Sequence, residues 1–253
     1  MLRSERGQAV AEAALVLPAM VFLMLLTVQL TQLQRARILA DAAASSAARA
    51  GIVMNGDPAR MLEAATLAVL PGFGPTGSLP AATKTLLKFQ AENALVSPLG
   101  ISLLRVYVHN PSAKDFASWG QHLNGQEIDF DDVRPGAADA TLLSLQIRYL
   151  YELRVPFANR MIQTLWMAAK AGLLRTWQGW DLASPRFGAQ AGPDAVAISR
   201  GIAAGTTVAD GTPEGISLAA LAAAGQDGRY YLPVQAFSTM RMQSNPYRKW
   251  ARP

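Results

Sequence analysis

Residues able to do chemistry are sparse in this chain, and the spacing around one carboxylate is the most informative feature. Glu12 stands at the entrance to an uncharged run from Ala13 to Leu30, and Gly7 precedes it behind a short leader carrying Arg3 and Arg6. A carboxylate deep in a bilayer costs about 2.5 to 3.5 kcal/mol, less near the edge, and a positive partner lowers that cost. His109 and His122 are the only histidines and lack the spacing of a metal site. Glu127, Asp129, Asp131 and Asp132 form an acidic patch without the glycine of a calcium loop, so a solvated turn is expected. Gly72 to Gly77 spells G-x-G-x-x-G, but it follows a helical stretch and contains Pro75, which predicts a loop rather than a phosphate cradle. Cysteine is absent, which removes disulfides, thiolate ligands and thiol nucleophiles. No nucleophile elbow is found. The expectation is a protein without enzymatic activity, cofactor or metal.

The element that positions Glu12 is long. At 1.5 Å per residue, Ala13 to Leu30 spans about 27 Å of helix, close to the roughly 30 Å of a bilayer's hydrocarbon core. The run is apolar on every face and ends in Thr27-Val28-Gln29-Leu30-Thr31 with no Ala-x-Ala cleavage site, so an uncleaved anchor fits better than a secretory signal or a buried core helix. Pro18 would cost about 3 kcal/mol inside a soluble helix but is tolerated in a membrane helix. Beyond the run, Ala40, Ala43, Ala44, Ala47, Ala48 and Gly51 recur at three- and four-residue steps, and no strong breaker comes before Asn55-Gly56. One continuous helix from about Gln8 to Met54 is predicted. Its small residues suit close packing, either against the chain's own sheet or against sister helices.

The segment Arg6-Gly7-Gln8-Ala9-Val10-Ala11-Glu12-Ala13-Ala14-Leu15-Val16-Leu17-Pro18 resembles the N-terminus of TadE-like pilus assembly proteins, the minor pseudopilins of the tight-adherence (Flp, type IVc) pilus system. The resemblance implies that a prepilin peptidase cuts after Gly7 and that Glu12 is the fifth residue of the mature chain. An aromatic residue is frequent in the family where Ala13 stands. Cleavage would free the amine of Gln8 one helical turn from Glu12, available to its own carboxylate or to that of a neighbouring subunit. The Ala47-to-Gly51 run, Leu153 to Arg160, and Met240 to Ser244 are also similar to the family.

The remainder reads as an α+β domain. Asp57 caps a helix that starts at Pro58 and runs to about Leu70. Strands are predicted around Gly100–His109, at Leu143–Val155 and near Val234–Met242. Leu104, Val106 and Val108, then Leu143, Leu145, Ile147, Tyr149 and Tyr151, then Val234 and Ala236 mark the apolar faces. One-sided alternation predicts an antiparallel sheet with a single covered face, and the long helix and the Asp57 helix are the candidates to cover it. A long insertion occupies about 158–228. Its first part, Asn159 to Trp180, is a basic amphipathic helix expected to pack on the chain's own domain, with the membrane surface as the alternative. Its second part, Gly188 to Gly215, is expected to be a loop.

The organisation expected is therefore a leader at 1–7, a transmembrane helix at 8–33, its periplasmic extension at 34–55 and a periplasmic domain at 56–253. The chain would sit in a bacterial inner membrane, N-terminus cytoplasmic, processed by prepilin peptidase and partnered by other pseudopilins or pilins. The net charge of +5 is scattered without basic blocks, which argues against nucleic acid. A membrane-tethered binding module unrelated to pili, or an anchored enzyme, are the rival readings.

Overall fold

The computed structural model describes residues 5–170 and 207–251, with side chains from Glu12 onward, Leu15 excepted. Helix α1, Glu5–Val53, runs through Pro18 without interruption. It ends where Asn55 and Gly56 take left-handed backbone angles, φ 57° and 77°, and the Gly56 amide donates to the Gly51 carbonyl at 2.9 Å. That geometry stops a helix and satisfies its last carbonyls. Helix α2, Pro58–Val69, starts under an Asp57 side chain that accepts from the Ala59 amide. Helix α3, Leu79–Val96, starts at the Ser78 cap.

The main sheet has strands β1, Leu104–Asn110, and β2, Leu142–Glu152. Helices α4, Ala113–Trp119, and α5, Ala137–Ala140, lie between them. The third strand pairs on the other edge of β2 and comes much later in the chain; between the two, the described residues form α6, Ala158–Lys170, a two-stranded ribbon of β3, Thr207–Val208, and β4, Ile216–Ser217, and α7, Leu218–Gln226. Strand β5 is Tyr231–Arg241, and the sheet is antiparallel in the order β1-β2-β5. The fold is α+β: a long N-terminal apolar helix, further helices and a small antiparallel sheet.

Register sets the two faces. Leu104 pairs with Tyr149 and Val106 with Ile147, while Tyr149 pairs with Val234 and Ile147 with Ala236. These residues form one apolar face, as the alternation predicts, and α1 and α2 pack on that side. Ala40, Ala43, Ala44, Ala47 and Ala48 are fully buried in this contact. Side chains of one carbon allow the helix backbone to approach the sheet closely. Gly51 marks the tightest point: a Cβ there would lie 2.6 Å from Leu143 Cδ2 and 2.6 Å from Met61 Sδ.

The other face departs from the expectation of solvent. Gln146, Arg148 and Leu150 are buried, and so is Tyr107, which alternates with the apolar residues of β1. The chain returns over this face with the β3-β4 ribbon. Register places Arg105 beside Arg148, and like charges directly opposite on a sheet repel. The ribbon answers with two carboxylates. Asp210 pairs with Arg148 at 3.4 Å and Glu214 pairs with Arg105. The Gly215 carbonyl accepts from Arg148 Nη1 at 2.7 Å, and the Gly211 carbonyl accepts from Gln146 Nε2 at 2.9 Å. At Gln146 and Arg148 the polar alternation that reads as a wet face is thus buried, with partners that arrive from the far end of the insertion, while Arg105 and His109 on the same face stay exposed.

That insertion is only partly a loop. Its amphipathic helix is described to Lys170, so the stretch from there to Trp180 lies outside the described residues, as does most of Gly188–Gly215. The described end, 207–226, is the ribbon and α7.

Candidate functional site

The N-terminal segment is built by α1 alone. Helical backbone begins at Glu5 and includes Gly7 and Gln8 in its opening turns. Glu12 lies about 7.5 Å further along the axis than Gly7 at the helical rise, and it is exposed. From there to Leu30 the helix presents large apolar side chains outward; Leu17, Met20, Leu23 and Met24 are all more than half exposed. The hydroxyls in this run do not project free. Thr27 Oγ1 donates to the Leu23 carbonyl and Thr31 Oγ1 to the Thr27 carbonyl, each at 2.9 Å. A hydroxyl bonded to its own helix can enter lipid without leaving an unpaired donor. Glu12–Val53 is the one helix among the described residues long and apolar enough to cross a membrane.

Gln29 is the transition. It is fully buried, and its Oε1 accepts the Val155 amide at 2.8 Å. One turn on, Gln32 Oε1 accepts the Tyr151 hydroxyl at 3.3 Å. These bonds fix where the folded domain meets the helix. Burial pushes the Tyr151 phenol above its ordinary value, and pushes Tyr149, further up the strand, higher still. Both phenols stay neutral, and the Tyr151 hydroxyl is the one that donates to α1.

The upper end of α1 is tied to the chain's last residues. Gln243 N donates to the Ile52 carbonyl at 3.0 Å, Ser244 Oγ to the same carbonyl at 2.9 Å, and Asn55 Nδ2 to the Asn245 carbonyl at 2.8 Å. The motif Met240 to Ser244 therefore serves to close the domain on the helix end. Residues 7–49 match the TadE-like protein family. The match covers the apolar run and most of the alanine face, and it stops short of α2, the sheet and α6. The TadE-like segment is therefore the part of the chain in which one helix passes from an exposed apolar sheath to a fully packed small-residue face. No curated protein and no solved structure matches the chain.

The other chemical candidates have structural partners. Asp132 receives Arg134 through its backbone amide and its guanidinium, which holds the carboxyl below the ordinary carboxylate range. Asp129 accepts the Asp131 amide, and Glu127 accepts Asn245 Nδ2. His109 contacts Gln146 Oε1 at 2.8 Å and stacks on Phe237, while His122 contacts Arg134. No group of three or more His, Asp or Glu placed to hold a metal occurs among the described residues. In the G-x-G-x-x-G stretch, Gly74 lies against Thr85, whose hydroxyl donates to the Pro75 carbonyl, and Lys88 donates to the Phe73 carbonyl. That loop is packed onto α3. Helix α3 itself is absent from the sequence expectations, although Ser78-Leu79-Pro80, a cap followed by an early proline, is the signal that marks it.

Proposed function

We propose that this chain is a membrane-anchored minor pseudopilin that takes part in assembling a tight-adherence (Flp) pilus. The observation that carries the reading is the TadE-like match at residues 7–49, lying on a helix that is exposed and apolar below Gln29 and packed along one small-residue face above it. Prepilin peptidase removes the leader after Gly7. The new Gln8 amine then pairs with Glu12 of its own or a neighbouring chain and sets the register between subunits. The N-terminus is cytoplasmic and the α+β domain periplasmic, and the chain acts through packing rather than chemistry.

The alanine face constrains how the packing is done. Ala40, Ala43, Ala44, Ala47, Ala48 and the Gly51 contact are filled by the chain's own sheet and α2. Neighbouring pilins and pseudopilins therefore meet the helix on its larger apolar residues, such as Leu17, Met20 and Met24.

N-terminal sequencing of the protein extracted from membranes, with and without prepilin peptidase, tests the reading. A start at Gln8 that needs the peptidase supports it, and an intact Met1 in both cases overturns the processing step. The Glu12→Ala chain is expected to be processed and inserted but to assemble no pilus; normal pili would remove the register role.

A further inference from the structure

Helix α1 also fixes how deep the domain sits, and one corner of the domain is brought to the level of the lipid. Strand β2 descends along α1. Leu143 meets Gly51, Tyr151 meets Gln32, and Val155 meets Gln29. Each step along the strand thus moves toward the apolar end of the helix. A hydrocarbon core of roughly 30 Å measured from Glu12 reaches to about residue 32, so Val155, bonded to Gln29, lies about one helical turn inside its upper edge. Phe157 comes two residues later, in the turn that leads from Val155 into α6.

Among the described residues Phe157 has no packing role that explains its position. It is 77% exposed, and its φ is +65°. The left-handed region costs a side chain with a Cβ roughly 1–2 kcal/mol, so the loop holds an aromatic ring outward against a backbone preference. The ring is not isolated. Helix α6 begins at the next residue, and Met161 and Leu165 follow Phe157 at successive four-residue steps, both exposed. The opposite side of α6 is committed to the domain, with Gln163 donating to the Leu221 and Tyr231 carbonyls and Met167 buried. Arg154 and Arg160, both exposed, flank the ring. An aromatic and two aliphatic side chains between arginines are the residue types that enter the headgroup boundary beside anionic phosphates.

We propose that Phe157, Met161 and Leu165 form a second membrane contact, seated in the outer edge of the bilayer that α1 crosses, with Arg154 and Arg160 on lipid phosphates. The proposal rests on α1 being a membrane span. Two contacts separated sideways fix the domain's tilt and rotation on the membrane, which a single helix leaves free. A subunit held in one orientation presents the same face to each incoming neighbour.

The absence of cysteine makes the test direct. The full chain carrying Phe157→Cys, Leu165→Cys, Met20→Cys or Val133→Cys is labelled with an environment-sensitive fluorophore. It is then reconstituted in phosphatidylethanolamine–phosphatidylglycerol vesicles. Quenching is measured with nitroxides on the upper acyl chain and with aqueous iodide. Labels at 157 and 165 are expected to shift to the blue, lose intensity to the lipid nitroxide and resist iodide. Val133, 93% exposed and on a polar turn, is expected to do the reverse. The Leu165 variant leaves Phe157 in place, so a folding defect at 157 does not decide the result. Labels at 157 and 165 open to iodide overturn the proposal, and so do labels shielded from both quenchers, which would place a protein partner there. If Met20 also escapes the lipid nitroxide, the membrane span itself fails; if Met20 is quenched and 157 and 165 are not, only the second contact fails.

Discussion

The two halves of α1 share a helix axis and differ in nearly everything else. From Val16 to Val28 the side chains are mostly large and exposed, whereas above Gln29 one face of the helix is alanine and glycine at full burial and the other, with Arg37, Ile38 and Asp41, stays exposed. Large apolar residues gain most where the surroundings are fluid and can adapt to any shape, as lipid does. Small residues gain most where a rigid sheet must come close, because each added carbon would push the backbones apart. A helix with a single apolar composition along its length would serve one half poorly. The change from leucine and methionine to alanine therefore marks the level at which α1 stops meeting solvent chains and starts meeting its own fold.

The sharpest way to break this contrast acts on the upper half through the far face of the sheet. Asp210→Ala leaves Arg148 buried without its carboxylate, which is expected to destabilise the domain by about 3–5 kcal/mol. Thermal unfolding of the detergent-solubilised chain reads that loss, while carbonate extraction is expected to find the chain still in the membrane fraction. An unchanged Tm would mean that the Gly215 carbonyl alone satisfies the guanidinium.

A smaller effect compares substitutions within the helix. Ala44→Leu or Gly51→Ala adds carbon where there is no space and is expected to cost about 1–3 kcal/mol in the same unfolding measurement. Met20→Leu, of similar volume on the exposed half, is expected to stay within about 0.5 kcal/mol. Equal effects at both ends would erase the distinction.

The smallest effect at moderate pH is alkaline. Burial raises the Tyr149, Tyr151 and Tyr231 phenols above their ordinary value. A group whose folded-state pKa is raised gives its full stabilisation below the unfolded value, and that contribution falls as pH rises toward the folded value. The domain is therefore expected to lose stability above about pH 10, measured as a falling unfolding midpoint. Below Gln29 the helix holds no tyrosine, and its far-ultraviolet helical signal is expected to persist.

The sheet's apolar face was legible because alternation with period two survives any tertiary arrangement. Leu143, Leu145, Ile147 and Tyr149 occupy one side wherever the strand goes. The same logic misled at Gln146 and Arg148, since a polar side chain reads alike whether water or a carboxylate faces it. Asp210 is 62 positions from Arg148, and nothing in the local pattern of either residue names the other. Helix α3 is weakly legible because its apolar positions are diluted by threonine and lysine, leaving a faint stripe. The amphipathic helix after Phe157 was expected to pack on the domain, and Gln163 and Met167 do so; Phe157, Met161 and Leu165 are exposed.

The sequence by itself determined the length of α1, its stop at Asn55-Gly56, the spacing of Gly7 and Glu12, and the change from large to small apolar residues. Each depends on neighbours within a few turns, where backbone geometry is nearly fixed. The tertiary structure decided which partner fills the alanine face, that the middle of the second sheet face around Gln146 and Arg148 is buried, and how far down α1 the domain reaches. Those are set by contacts between residues far apart in the chain, and only the closed fold brings Gln29 to Val155 or Arg148 to Asp210.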